Sequence, residues 1–407
     1  MGVLAGIFSA ILVITACGGS GSSSSNPKGQ VSGLHHRVFI SNAYNGKLQI
    51  VDSQNDTQAA TQQQTVSANG QTITTTTPIS IGLGIQSTWE TVSPDHSTTA
   101  VFDPVSNALY FVSNSSEASS GSVALGGSSG SGVFSTDSST VYVPIRNMAV
   151  SGQQNGAIQA VTASTATIAA SYPVPAAQYL SLSTSGTYLL AFANNSDSVF
   201  VLNLKASTIT ATQVPGFARP VSAFFSNDTT AFVLNCGTEC GSTGAPSVTQ
   251  LNLSTLTLGA TVPVGGATVG YLSGNNLYVA GNPGPAGTVD IVNVSNMTRS
   301  TATSIPISDG YHSQMAVSTN NKLYVGAITC SNITAGCLSV VDLNTNQADP
   351  PLPPNGPITG MLAIANRNTM YVIQKGFLAI YDTTTNTLQA KQIAFTGGVN
   401  DVVQVDP

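Results

Sequence analysis

The stretch 357–397, PITGMLAIANRNTMYVIQKGFLAIYDTTTNTLQAKQIAFTG, constrains the fold more than any other part of the chain, because weaker copies of it fill the sequence. It reads as four short strands: 358–365, Thr369–Gln374, Phe377–Asp382 and 388–395. The breaks are Asn366-Arg367-Asn368, Lys375-Gly376 and the Thr/Asn run 383–387, whose residues tolerate turn geometry or bond to their own backbone. The strands are rich in Val, Ile, Leu and Tyr, which suits a pleated, mostly buried surface. A four-stranded meander of this kind cannot bury both of its faces alone. Repeated copies can, by stacking face to face around a ring, which predicts an all-β propeller of four-stranded blades.

The copies support this. The first turn recurs as SPDHST (93–98), STDSST (135–140), STSGT (183–187), SNDTT (226–230), SGNNL (273–277), STNNK (318–322) and ANRNT (365–369). The strand after it recurs as RVFIS, TVYVP, YLLAF, AFVLN, NLYVA, KLYVG and TMYVI, with a blurred copy at 98–103. The third strand ends on Asp52, Asn203, Asn252, Asn293, Asp342 or Asp382, side chains able to cap the following turn. The period is roughly 41 to 48 residues, in the range of propeller blades. Eight units are counted, with seven as the alternative. The segment from residue 36 opens on a second strand, RVFISN, and VNDVVQVDP (399–407) matches a first strand and its turn. The 399–405 strand is therefore expected beside Arg37–Asn42, completing one blade from both termini and leaving no unpaired edge.

Residues 1–16 read as a signal peptide: an apolar run at 3–14, too short to span a bilayer, precedes Ile14-Thr15-Ala16-Cys17. That tetrapeptide resembles the bacterial lipobox, which implies lipidation of Cys17 and an envelope location, the outer membrane or cell surface, with lipid as the sole membrane contact. The charged segment that normally precedes the apolar run is absent. Residues 17–35, rich in Gly and Ser, read as a flexible tether, and 36–407 as the propeller. Only 7% of residues are charged while 41% are hydrophobic, so the chain holds a large packed core rather than a disordered one. The net charge of −6 gives no basic surface for nucleic acid. The remaining cysteines fall as pairs in two loops, and local disulfides Cys236–Cys240 and Cys330–Cys337 are expected in an oxidising compartment. A four-cysteine zinc site is the alternative. Neither loop has CxxC spacing, and the two loops belong to units two apart in the ring.

Chemistry-bearing motifs are sparse. His35, His36, His96 and His312 show no metal-ligand spacing, and no nucleophile elbow, phosphate loop or calcium loop is present, so no cofactor, metal or catalytic residue is assigned. In a propeller the first strands line a central channel, and registering the units on their first turn gathers candidates at its mouth. Trp89, Tyr179, Gln314 and Met361 fall at one level, with Gln178, Ser313 and Asp401 a residue earlier. His312, Pro220 and Asn400 come before those, and Arg219 adjoins them. Trp89, Tyr179, Gln178, Arg219, His312, Gln314 and Asp401 form the expected binding set, suited to an uncharged polar ligand such as a sugar or peptide. The bland alternative is that Trp89 and Tyr179 pack between blades and the rest are solvated.

The units resemble the YVTN-type propeller repeats of bacterial and archaeal surface proteins. The resemblance rests on Val38–Asn42 with Leu48–Asp52, on Leu323-Tyr324-Val325 with Val340-Val341-Asp342, and on Met370-Tyr371-Val372 with Ile380-Tyr381-Asp382. It covers nearly everything after the tether, with degenerate units at 98–127 and 217–265. It implies a monomeric binding or scaffolding module for an envelope or extracellular protein or glycan. Related propellers include lactonases, so a hydrolase using Arg219, His312 and Asp401 at the channel mouth is the alternative.

Overall fold

The computed structural model describes residues 31–59, 62–68, 71–193, 195–281, 287–300, 304–330, 337–350, 352, 356–395 and 398–406. The expected signal peptide, Cys17 and most of the expected tether lie outside them. Eight antiparallel, four-stranded blades form a ring. The blade that opens the ring takes its innermost strand from the C-terminal end: Val399–Gln404 pairs with Arg37–Asn42, with Val38 opposite Gln404 and Ile40 opposite Val402. The next six blades begin at Trp89, Val133, Ala177, Pro220, Val269 and Tyr311, and the eighth at Ile358. The closure expected from the two ends of the chain is therefore present.

Why the chain forms blades is clearest in the second and third strands. Thr369–Gln374 and Phe377–Asp382 are buried on both faces, as are Arg37–Asn42 and Lys47–Asp52 apart from their ends. A strand covered on both sides carries a continuous apolar run rather than an alternating one. The core accordingly divides into eight clusters, each shared by two successive blades. One joins Trp89, Phe102 and Phe111 to Phe134, Val141 and Val161; another joins Tyr371, Ile373 and Ile380 to Val38, Ile40 and Val402. With each buried Leu, Ile, Val or Phe worth about 1.5–3 kcal/mol, these shared faces dominate stability.

The polar repeats set the turns. Asp52, Asn203, Asn252, Asn293, Asp342 and Asp382 each accept a backbone N–H two residues on, at 2.7–3.0 Å. The fourth residue after each third-strand end often has positive φ: Asp56, Leu256, Met297, Asn346 and Asn386 at 50–55°. Three of these receive a tyrosine from the preceding blade: Tyr278 Oη donates to Asn346 at 3.0 Å, Tyr324 to Asn386 at 2.9 Å and Tyr371 to Asp56 at 2.6 Å. The repeated tyrosine is thus a blade-to-blade tie, with its body in the apolar interface and its hydroxyl on the neighbour's turn.

Outer strands differ from the sequence reading. The expected strand 388–395 is reduced to Thr387–Leu388 and a single bridge from Ile393 to Leu378. In the first blade the outer edge is split into Thr57–Gln58 and Ser80–Gly82, both on Lys47–Asp52. Between them an unforeseen hairpin, Gln62–Ala68 with Gln71–Thr77, pairs with no other described strand. At the inner end of the expected tether, Ser32 donates to Glu117 and Leu34 packs against the first interblade cluster.

Candidate functional site

The two faces of the ring are built differently. The connections between first and second strands and between third and fourth are hairpin turns. On the opposite face emerge the second-to-third-strand connections, and in the third, fifth and seventh blades these are long. Both expected disulfides are formed there, Cys236–Cys240 with Cα atoms 5.6 Å apart and Cys330–Cys337 with 5.5 Å.

This loop face carries a groove of ≈ 670 Å³ over the third and fourth blades. Its rim presents Arg146, Asn147, Gln154, Asn155, Asn195 and Gln213, all exposed, above a buried Phe200. Asn195 has φ 58°, a conformation asparagine tolerates because its amide bonds locally. The groove continues, through shared Ala193 and Asn195, into a smaller cavity of ≈ 100 Å³ at the channel mouth. Gln178, Tyr179, Arg219 and Tyr311 line that cavity, and Cys240 of the first disulfide reaches it.

Three of the expected binding residues therefore come together. Tyr179 is 40% exposed, and its hydroxyl accepts from Gln178 Nε2 at 2.9 Å. Arg219, with φ 53°, places its backbone N–H on Asp197 Oδ1 at 2.9 Å, while Nη1 stands 3.9 Å from the same oxygen. Its Nε is buried without a hydrogen-bond partner. Tyr311, half-buried, was missed, although it directly precedes His312; burial raises its phenol above the usual range.

The others stand elsewhere. Trp89 is buried between the second and third blades, stacked on Phe102 at 5.5 Å, with its indole N–H on the Ser129 carbonyl at 3.3 Å. Gly132 lies so close beneath the ring that a Cβ there would sit 2.5 Å from it. His312 is fully buried, one ring nitrogen on the Gly281 carbonyl and the other unpartnered. Burial lowers its pKa, so it is neutral at pH 7. Gln314 ties two inner strands by donating to the Thr359 carbonyl at 3.1 Å.

Asp401, on the closing strand, takes the Glu90 N–H at 3.0 Å, and its own N–H donates to Ser41 Oγ at 3.0 Å. Glu90 is 6% exposed; one carboxyl oxygen accepts the Ser41 N–H at 3.1 Å and the other has no partner. Burial pushes Asp401 up to about 6, and burial, then the charge of Asp401, pushes Glu90 well above the carboxylate range. Glu90 was not singled out by sequence. The pair stitches the closing strand to the second blade rather than facing the groove. Arg219, His312 and Asp401, which a hydrolase would need to converge, occupy three separate blades, with His312 inside the wall. Among the described residues no three His, Cys, Asp or Glu side chains gather as a metal site.

No family model and no curated protein matches the chain. Among solved structures it is similar to dihydro-heme d1 dehydrogenase NirN in complex with DHE, with TM-score 0.68 and 11% identity over 94% of this chain and 77% of that one. It is also similar to a protein of unknown function from Desulfotomaculum acetoxidans DSM 771, with TM-score 0.52 and 15% identity over 77% and 94% of the two chains. The computationally designed protein Ika8 aligns with TM-score 0.54 and 12% identity over 75% and 86%. At such identities the likeness carries architecture alone, and that architecture is the β-propeller. This chain is an eight-bladed one, closed by its own C-terminal strand.

Proposed function

We propose that the protein is a binding module of the cell envelope that holds a glycan chain in the groove of the loop face. The observation that carries this is the groove itself: ≈ 670 Å³ of space rimmed by five carboxamides over an apolar floor. Carboxamides offer paired donors and acceptors to hydroxyl groups, and a flat apolar floor suits the C–H face of a sugar ring. The repeats support membership of the YVTN-type surface propellers. The segment Ile14-Thr15-Ala16-Cys17 supports an acyl anchor that would hold the ring at the envelope surface. In that reading Cys17→Ser leaves the protein in the soluble fraction, and unchanged membrane partitioning removes the anchor.

The binding reading is tested by calorimetric titration of the purified propeller against oligosaccharides of graded size. Asn195→Gly is the informative variant, because glycine accepts the positive φ while deleting the amide. Losing one or two hydrogen bonds should weaken binding about tenfold with no change in melting temperature. A panel with no binder, or equal binding by the variant, contradicts the reading.

A further inference from the structure

Among the described residues, Arg37, Arg299 and Arg367 are each clamped by a carboxylate. Arg37 Nε lies 2.6 Å from Asp406, Arg299 Nη2 lies 2.6 Å from Asp290, and Arg367 Nη1 lies 2.7 Å from Asp56. Arg146 is exposed to solvent. Arg219 fits neither pattern. Its side chain is only 21% exposed, its guanidinium makes no hydrogen bond, and its nearest acid, Asp197, is 3.9 Å away and itself 54% exposed. Asp197 is also occupied, accepting from the Arg219 backbone and from Ser242. Glu239, the other acid of this loop cluster, takes the Ala267 N–H at 3.3 Å. A guanidinium carries five donors in a fixed fork that matches a carboxylate, and here Nε is buried with its donor unmade, which is costly.

Resting on the reading of the groove as a glycan site, we propose that the small cavity at the channel mouth is its acid subsite, where Arg219 pairs with the carboxylate of an acidic sugar. Tyr179 and Gln178 would flank that carboxylate, and Tyr311 would close the far side of the cavity. The cavity of ≈ 100 Å³ admits one substituent rather than a whole ring, while the adjoining groove of ≈ 670 Å³ takes the chain. The ligand is then a uronate-bearing oligosaccharide, not the uncharged one that residue types at the mouth imply.

The test uses the whole propeller and a set of uronate oligosaccharides, tetragalacturonate and glucuronate-containing tetramers, each beside its carboxyl-reduced counterpart. The acidic form should bind roughly tenfold to a hundredfold tighter, the range for a partly buried charge-assisted hydrogen bond. That difference should shrink as salt rises and vanish in Arg219→Gln. Asp197→Asn, which removes the competing charge, should widen it. Equal binding of acidic and reduced forms by the wild-type protein overturns the acid subsite while leaving the glycan reading intact. Binding of neither form overturns both. Because the first comparison changes only the ligand, it holds even if a variant fails to fold.

Discussion

Two arginines at opposite sides of the ring show how this protein spends its few charges. Arg37, where the ring closes, donates to Asp406 through Nε and Nη2 at 2.6 and 2.9 Å and to Glu117 through Nη1 at 3.0 Å. It binds the closing strand's exit and the neighbouring blade to the start of the first blade. Arg219, at the mouth between the fourth and fifth blades, is 21% exposed against 11% for Arg37 and has none of those bonds. Arg219 Nε is buried without a partner, and a buried donor left unmade costs stability, so such a group persists where something else uses it. Arg37 with Asp406 and Glu117, and Arg367 with Asp56, hold the seam of the ring by short ion pairs, whereas Arg219 has only Asp197 at 3.9 Å.

The largest effect that could break this comparison is at the closure. Removing 399–406 strips the inner strand of the first blade, exposes the edge of Arg37–Asn42 and deletes buried Val399, Val402 and Val405. The three valines alone represent roughly 5 kcal/mol or more, and the bared edge invites association. The truncated chain should melt roughly six degrees or more lower, at about 1–1.5 °C for each kcal/mol in a fold of this length, and should aggregate in size-exclusion chromatography. A monomer melting within a few degrees of the full chain would show that closure is not what holds the ring.

A smaller effect sharpens the same comparison through pH. Glu90 and Asp401 hold their protons more tightly folded than unfolded, so the native ring binds more protons in that window. Stability contributed by the protonated pair is therefore complete in mild acid. It is lost as pH rises past about 4 and through about 6 for Asp401, with Glu90 shifted in the same direction. Asp95 and Asp137 work the other way. Their neighbouring serines hold them near about 2, so their contribution is present at neutral pH and lost only in strong acid. Between pH 5 and 8 the loss from the closure pair is opposed by His312, whose burial lowers its pKa so that its contribution to stability grows as pH rises. Glu90→Gln removes the falling contribution, so the variant should gain stability relative to the wild type as pH rises across that range. Parallel curves for variant and wild type would mean that the pair does not titrate there.

Sequence carried the architecture because blades bury both faces of their middle strands. TMYVIQ and FLAIYD are unbroken apolar runs with Asp382 capping the turn, and such runs can be read without coordinates. Outer strands were harder: Ala118–Ala124 is ASSGSVA and largely exposed, so nothing in its composition separates it from a loop. The inserted strands Gln62–Ala68 and Gln71–Thr77 are likewise nearly all polar in sequence. At the mouth the difficulty was the two-residue period of a strand. Tyr311 and His312 are adjacent, yet successive side chains face opposite ways, and it is the tyrosine that lines the cavity while the histidine enters the wall. Trp89 shows the complement: its aromatic character reads as a binding residue, but Phe102 and Gly132 make it a packing one. The groove itself had a signal in the amide-rich loop 146–156, which positional registration on the first turn does not reach.

Melting the two single variants Arg37→Gln and Arg219→Gln side by side tests the central claim most directly. Arg37→Gln strands buried Glu117 and frees Asp406, and it should cost about 3–5 kcal/mol by differential scanning calorimetry. Arg219→Gln removes a cation with a buried, unsatisfied Nε and only a loose, solvent-screened contact to Asp197, so it should melt at or above the wild-type temperature. Equal destabilisation by both substitutions would contradict the account, because it would make Arg219 another structural clamp rather than the charge held ready for a ligand.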